Sequence, residues 1–293
     1  MMLRAPPGAH FIRPNSMKPS IPIWALLPLS IWMWAASASV LGQELPIFDA
    51  HIHYSRPDWE VLSPKQALAI LDRAGVRRAL VSSTPDDGTL KLYRLAPRRI
   101  VPFLRPYRTR GDMESWHSDS AVQSYVEERL RGGVYKGIGE FHLSAEDVGT
   151  PVIKRLAEAA ARQRLFFHAH VDEVGVERLL RFYPQVRVLW AHAGMSAPAG
   201  AVGRLLDRFP NLWVELALRF DVALAGTLDP EWRTLFLRHP DRFMVGTDTW
   251  TTTRWEELIG ELQDTRRWLI QLPSKIAEQI AYRNGERLFG TPK

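Results

Sequence analysis

From Leu45 onward, short apolar runs rich in β-branched and aromatic residues alternate eight times with longer segments of helical period. This rhythm restricts the chain to repeated βα units. The runs are Pro46 to Ala50, Arg78 to Ser82, Ile100 to Leu104, Val134 to Phe141, Leu165 to His170, Arg187 to Ala191, Leu212 to Leu216 and Phe243 to Gly246. The first helix is predicted to open at Ser63-Pro64, a cap followed by proline in the first turn. It carries Ala67, Ile70, Leu71 and Ala74 on one face and ends at Gly75. Comparable segments span Ser120 to Leu130, Pro151 to Arg162, Val174 to Phe182, Gly200 to Phe209, Pro230 to Leu237 and Trp255 to Leu272, and the weakest helical signal lies near Leu90 to Leu95. Eight such units predict an α/β chain folded as a (β/α)8 TIM barrel, an architecture that occupies about 250 residues as one domain. The expected domain is 45–293. An open doubly wound sheet is the rival architecture. It calls for a glycine-rich phosphate turn after the first strand, where this chain has His51-Ile52-His53.

The segment before the barrel has a different chemistry. Arg4, Arg13 and Lys18 come before any acidic residue, the apolar run Ile21 to Ala36 follows, and Ala36-Ser37-Ala38 offers small residues for cleavage. The run spans 16 residues, fewer than the roughly 20 a helix needs to cross a bilayer. We therefore expect residues 1–38 to be a signal peptide and the barrel to be exported, periplasmic or secreted, with no stable membrane insertion after cleavage. A retained anchor with Trp24, Trp32 and Trp34 at the interface is the alternative. Without the three basic residues of this segment, the full-chain charge of +6 falls to +3, from 35 basic and 32 acidic residues. The basic residues are dispersed apart from Arg105, Arg108 and Arg110, so a phosphate-binding stripe is missing and nucleic acid is not an expected partner. The expected partner is a small-molecule substrate, and no oligomeric state is legible. There is no cysteine, so any metal must be bound by nitrogen and oxygen.

Six of the nine histidines, His51, His53, His142, His168, His170 and His192, fall at the C-terminal ends of predicted strands. Barrels of this kind carry their chemistry at those ends. His51 and His53 stand two apart on extended chain, so both imidazoles project to one side and can close on one cation. Asp248 ends the eighth strand and Glu140 ends the fourth, each adding a carboxylate. An ion pair with a nearby lysine or arginine is the plainer reading of Glu140, and a helix cap that of Asp248.

The order of these residues resembles the amidohydrolase superfamily, particularly its amidohydrolase-2 branch, over Phe48 to Phe289. Asn284-Gly285-Glu286-Arg287-Leu288-Phe289 resembles the closing helix of that family as well. The resemblance implies that His51, His53, a histidine of strand five and Asp248 bind a divalent metal, with His192 contributing to the metal or to the substrate. On strand five we take His170, nearer the strand's end, as the ligand, and leave His168 to the substrate side or the core. On strand four, relatives use a carboxylated lysine or, in TatD-like hydrolases, a glutamate. Lys136 and Glu140 share a face, and Glu140, closer to the mouth, is taken as a bridging or second-site ligand. One or two ions are implied, zinc foremost.

Such a metal lowers the pKa of bound water towards about 7 and polarises a carbonyl or phosphoryl oxygen. Asp248 would take the water proton, while His192 would stabilise an oxyanion or protonate the leaving group. Arg105, Glu215, Arg219 and His168 are the candidate substrate contacts. The expected function is hydrolysis of a small ester, lactone, amide or phosphoester. The rivals are metal-dependent decarboxylation of small aromatic acids, a TatD-like nuclease, and a non-catalytic periplasmic binding barrel.

Overall fold

The computed structural model describes residues 44–290, so the expected signal peptide lies outside the described residues. Eight parallel strands follow one another around the sheet in chain order: Ile47–Ile52, Val76–Val81, Ile100–Leu104, Gly137–His142, Phe166–His170, Arg187–Trp190, Leu212–Glu215 and Phe243–Met244. The first strand and the chain beyond the eighth are joined by two backbone hydrogen bonds, Ala50 N–H to the Val245 carbonyl at 2.8 Å and Asp248 N–H to the His51 carbonyl at 2.7 Å. The sheet thus curls round nearly to closure as a barrel. Each predicted run overlaps a strand, and the weakly signalled helix after the second is present as Asp87–Leu95.

Several small elements were not anticipated, among them a short helix and a short strand pair. The helix Arg56–Val61 is held by a capping box between Ser55 and Asp58, and six residues are too few to display a helical period. The antiparallel pair Ala223–Leu224 and Thr227–Leu228 is likewise too short to show alternation. Among the described residues, no helix is long and apolar enough to cross a membrane.

Apolar residues sort into two cores by strand parity. Residues such as Ala79, Val81, Ile138, Phe167, Val188 and Val214 pack outward against the helices. The helix Pro151–Gln163 answers them with Val152, Ile153, Leu156, Ala157 and Ala160 on one buried face, each large side chain contributing about 1.5–3 kcal/mol. Phe48, Ala50, Leu80, Val101, Phe103, Phe166, Leu189 and Met244 form the second cluster with Phe289 from the closing helix Asn284–Phe289. Phe289 lies 5.8, 5.7 and 5.1 Å, ring to ring, from Phe48, Phe103 and Phe166. Asn284 fixes that helix by donating to the carbonyls of Pro240 and Phe243. The interior therefore has an apolar floor beneath the rim.

Two irregularities in register lie just below the rim. One falls between Asp49 and Ile52 on the first strand, the other between Gly139 and Phe141 on the fourth. Such bulges re-aim side chains at barrel rims. The first turns His51 and His53 inward after Phe48 and Ala50; the second does the same for Glu140. Gly139 has φ 123°, and a Cβ there would meet the His168 carbonyl oxygen at 2.2 Å. Gly139→Ala should therefore destabilise the protein by about 1–3 kcal/mol. Urea unfolding checks this, and an unchanged midpoint would show that the strand has slack.

Candidate metal centre

At the C-terminal rim, four side chains from three strands converge. His51 and His53 present their Nε2 atoms to each other at 3.1 Å. Glu140 Oε2 lies 3.5 Å from the first and 3.2 Å from the second, and Asp248 Oδ1 lies 3.5 and 3.3 Å from them. All four residues are buried. A tetrahedral zinc with bonds of about 2.0–2.2 Å separates its donors by about 3.3–3.6 Å, and these separations fall around that range.

The protonation pattern favours a cation at this point. His53 Nδ1 is 2.7 Å from the Ser82 carbonyl oxygen, which can only accept, so Nδ1 carries the proton and Nε2 offers a lone pair. His51 Nδ1 donates in the same way to Glu215 Oε1 at 2.9 Å. Imidazoles that bind metals are oriented by this kind of outer partner. Asp248 Oδ1 is buried without any hydrogen-bond donor, so the atom is unsatisfied until a cation or proton reaches it.

Electrostatics carries the same demand. Burial opposes a charged His51, but Asp248, Glu215 and Glu140 outweigh it and raise the imidazole well above its ordinary pKa, so that Nε2 holds a proton where a bound cation would displace it and take over its charge. Burial would raise Asp248, yet the His51 charge and the His53 imidazole pull it down to about 2. Glu140 and Glu215 are likewise held well below the usual carboxylate range, the His51 charge overcoming their burial. Three ionised carboxylates in a buried pocket require compensating positive charge.

Glu140 is shared between two groups of partners. Oε2 faces His51 and His53, whereas Oε1 faces His170 Nδ1 at 2.9 Å and His192 Nε2 at 3.4 Å. The strand-five position expected beside His51 and His53 is thus taken by Glu140, and His170 stands on the far side of it, because the bulge swings the carboxylate across the rim. His192 donates from Nδ1 to the Ala217 carbonyl at 3.1 Å and turns Nε2 towards Glu140 and, at 3.8 Å, Asp248 Oδ2. Lys136 is exposed, four positions before Glu140, and takes no part.

The four expected substrate contacts are placed otherwise. Arg105 is buried with Nε on the Glu140 carbonyl and Nη2 on Oε2 at 2.9 Å, so the ion pair and the convergence on the histidines occur together at Glu140. Glu215 is completely buried and accepts from His51 Nδ1, His192 N and Ala217 N, leaving it nothing to offer a substrate. Arg219 spends its guanidinium on the carbonyls of His192, Ala193 and Ala197 and on Asp221. It pins the loop after strand six. His168 is buried one layer below His51, 4.5 Å away ring to ring, with neither ring nitrogen hydrogen-bonded. Burial and the His51 charge push it down to about 4, so it stays neutral.

Sequence reasoning did not anticipate these supporting roles. The most legible signal was Glu215 itself, a carboxylate ending an apolar strand. Gly246 allows that carboxylate in, since a Cβ there would meet Glu215 Oε2 at 2.3 Å. His192 and Asp248 both adopt left-handed backbone, each at φ 55°, a conformation that persists where surrounding bonds over-determine it. His192 N–H binds Glu215, and the Asp248 carbonyl accepts from Arg254 Nε at 2.7 Å. A cleft of about 680 Å³ flanks strands seven and eight, walled by Val245, Gly246, Arg254, Glu261 and Trp268 among others, but no histidine lines it. The chemistry therefore belongs to the rim.

Among curated proteins none matches the chain. Solved structures share its fold at low identity. A Pseudomonas putida protein named for 2-pyrone-4,6-dicarboxylic acid hydrolysis is 15% identical with a TM-score of 0.60, covering 84% of this chain and 97% of its own. The TatD homologue YJJV of Escherichia coli is 14% identical with a TM-score of 0.57, covering 83% and 97%. A zinc-bound amidohydrolase of Burkholderia multivorans is 14% identical with a TM-score of 0.50, covering 84% and 100%. The family model described as amidohydrolase matches residues 124–291, more than half of the sequence and including Glu140, His170, His192 and Asp248. The chain belongs to the amidohydrolase family and is an enzyme of that type.

Proposed function

We propose that this enzyme is an exported hydrolase that uses a divalent ion, zinc foremost, held by His51, His53, Glu140 and Asp248 to cleave a small ester, lactone, amide or phosphoester. The observation that carries the reading is the unsatisfied, buried Asp248 Oδ1 facing two imidazole lone pairs and a second carboxylate at the spacing of a tetrahedral site. Zinc in the Burkholderia multivorans structure supports the choice of ion. When bound, the ion supplies Lewis-acid activation of water and of the scissile group.

The remaining work falls to the chain. Asp248 Oδ2 is the proton acceptor, since Asp248 is ionised at neutral pH and lies at the rim. His192 Nε2, 3.8 Å from that oxygen, can receive the proton and deliver it to the leaving group. Glu215 keeps both His51 and the His192 backbone in place. Arg105 tempers the charge of Glu140.

Elemental analysis of the purified protein, followed by a panel of lactones, esters, amides and phosphoesters, tests the reading. About one or two equivalents of metal and metal-dependent acid release are expected. Metal-dependent carbon dioxide release from small aromatic acids would move the activity to the decarboxylase alternative. A protein that takes up no metal after reconstitution would leave a binding barrel.

A further inference from the structure

Asp248 stands on a stretch of chain outside the strands. The eighth strand ends at Met244, and residues 245–250 have no regular structure. Within them Asp248 takes φ 55°, a left-handed backbone that a residue with a side chain keeps only under external hold. Its Oδ1 receives no hydrogen bond, so the aim of that oxygen depends on how the main chain behind it is fixed. On the barrel side, Asp248 N–H is tied to the His51 carbonyl at 2.7 Å. The rest of the hold comes from Arg254, the first residue of the helix Arg254–Leu269. Its Nε–H donates to the Asp248 carbonyl at 2.7 Å and its Nη2–H to the Thr247 carbonyl at 2.6 Å. One planar guanidinium thus spans two successive carbonyls.

The guanidinium is itself held by Glu261, seven residues on and therefore on the same face of the helix. Glu261 Oε2 accepts from Nη2 at 2.6 Å, and the two side chains are only 13% and 21% exposed. Glu257 also approaches Arg254, at 3.5 Å, but its side chain is 61% exposed, and an open pair of that length contributes little. Glu261 is kept where a carboxylate is costly. Burial pushes its carboxyl up to about 7 against the pull of Arg254, with the charges of Asp49 and Asp248 adding to the rise. A carboxylate retained against that cost has the character of a group with a task. Arg254 and Glu261 both wall the cleft of about 680 Å³ beside strands seven and eight, a space that no histidine lines.

We infer that Glu261 is a positioning residue for the proton acceptor: it holds the Arg254 guanidinium against the Thr247 and Asp248 carbonyls and so fixes the left-handed turn that aims the Asp248 carboxylate at His51 and His53. The inference rests on the proposed role of Asp248 at the metal. Without Glu261, one Nη2–H loses its partner, the guanidinium can turn towards the cleft, and the turn is left with the His51 tie alone.

The purified protein, stripped with chelator and reloaded with Co2+, is compared with Glu261→Ala, Glu261→Gln, Arg254→Lys and Glu257→Ala. In Glu261→Ala the visible cobalt bands should change and the ion should be held about 10–100-fold more weakly, the cost of losing an outer support of a metal ligand. Glu261→Gln keeps an acceptor for Nη2 and should recover most of both. Arg254→Lys keeps the charge but cannot span both carbonyls and Glu261, so it should show the band change too, which keeps the test decisive if Glu261→Ala does not fold. Glu257→Ala should match the wild type. On any substrate turned over, Glu261→Ala should lose about 10–100-fold in kcat at equal metal loading with KM nearly unchanged. Wild-type bands and affinity in Glu261→Ala or Arg254→Lys would overturn the positioning role and leave the metal centre standing. So would an equal change in Glu257→Ala, or a raised KM with kcat intact. A wild type that takes up no cobalt would remove this inference together with the metal centre.

Discussion

In an Asp248→Asn enzyme, turnover should fall by about 10²–10⁴-fold while the barrel remains folded. The amide has nearly the shape of the carboxylate, and the bonds that hold this residue in left-handed backbone, from its N–H to the His51 carbonyl and from Arg254 to its own carbonyl, involve main-chain atoms that the substitution leaves alone. What disappears is a negative charge and a base. The loss of a positioned proton acceptor alone accounts for the range given. Retention of the metal should weaken as well, because one of four converging donors becomes neutral. The measurement is kcat on the best substrate of the panel, with metal content matched between enzymes by elemental analysis. A loss smaller than tenfold at equal metal loading would take the proton-acceptor role away from Asp248.

Glu215→Gln should be more damaging to stability than any change at the open rim. The carboxylate has no exposed surface and receives three donors: His51 Nδ1–H and His192 N–H at one oxygen, Ala217 N–H at the other. A glutamine must point its own NH2 at one of them, so a buried donor meets a donor and the charge partner of His51 is gone. Breaking a buried pair in this way costs about 3–5 kcal/mol, which for a domain of this size lowers Tm by roughly 10 °C. Metal affinity should drop by about 10–100-fold because His51 loses its orienting acceptor. Calorimetry and metal titration read the two effects separately. A variant with unchanged Tm and unchanged affinity would mean that the His51 orientation is set by packing rather than by Glu215.

The contrast between these two carboxylates marks how far sequence could be followed. His51, His53, His192, Asp248 and Glu140 were legible because each ends an apolar run, and strand ends define one face of a barrel. Glu215 and Arg219 end their segments in the same way, and nothing in the sequence separates a side chain that faces the lumen from one enclosed by its neighbours. Their roles depend on which backbone amides and carbonyls crowd around them. The position of Glu140 across the rim, with His170 on its far side, follows from a one-residue irregularity on strand four, and a single extra residue leaves no trace in a period-two pattern. His168 and His170 share parity, so choosing between them required the depth of each in the barrel. The fold as a whole was easier, since eight separate apolar runs support one another where a single local feature cannot.

The seam between the first strand and the chain beyond the eighth has a further meaning for how the enzyme becomes active. His53 N–H donates to Thr249 Oγ1 across 196 positions of sequence, and the donors His51 and Asp248 sit on the two sides of the same seam. An ion held there would act as a clasp across the seam. Tying a loop of that length removes about 5 kcal/mol of conformational freedom from the unfolded chain. Such a clasp cannot form on a nascent polypeptide, because its last donor arrives only with the final strand. Metal capture at this seam would therefore report completed folding.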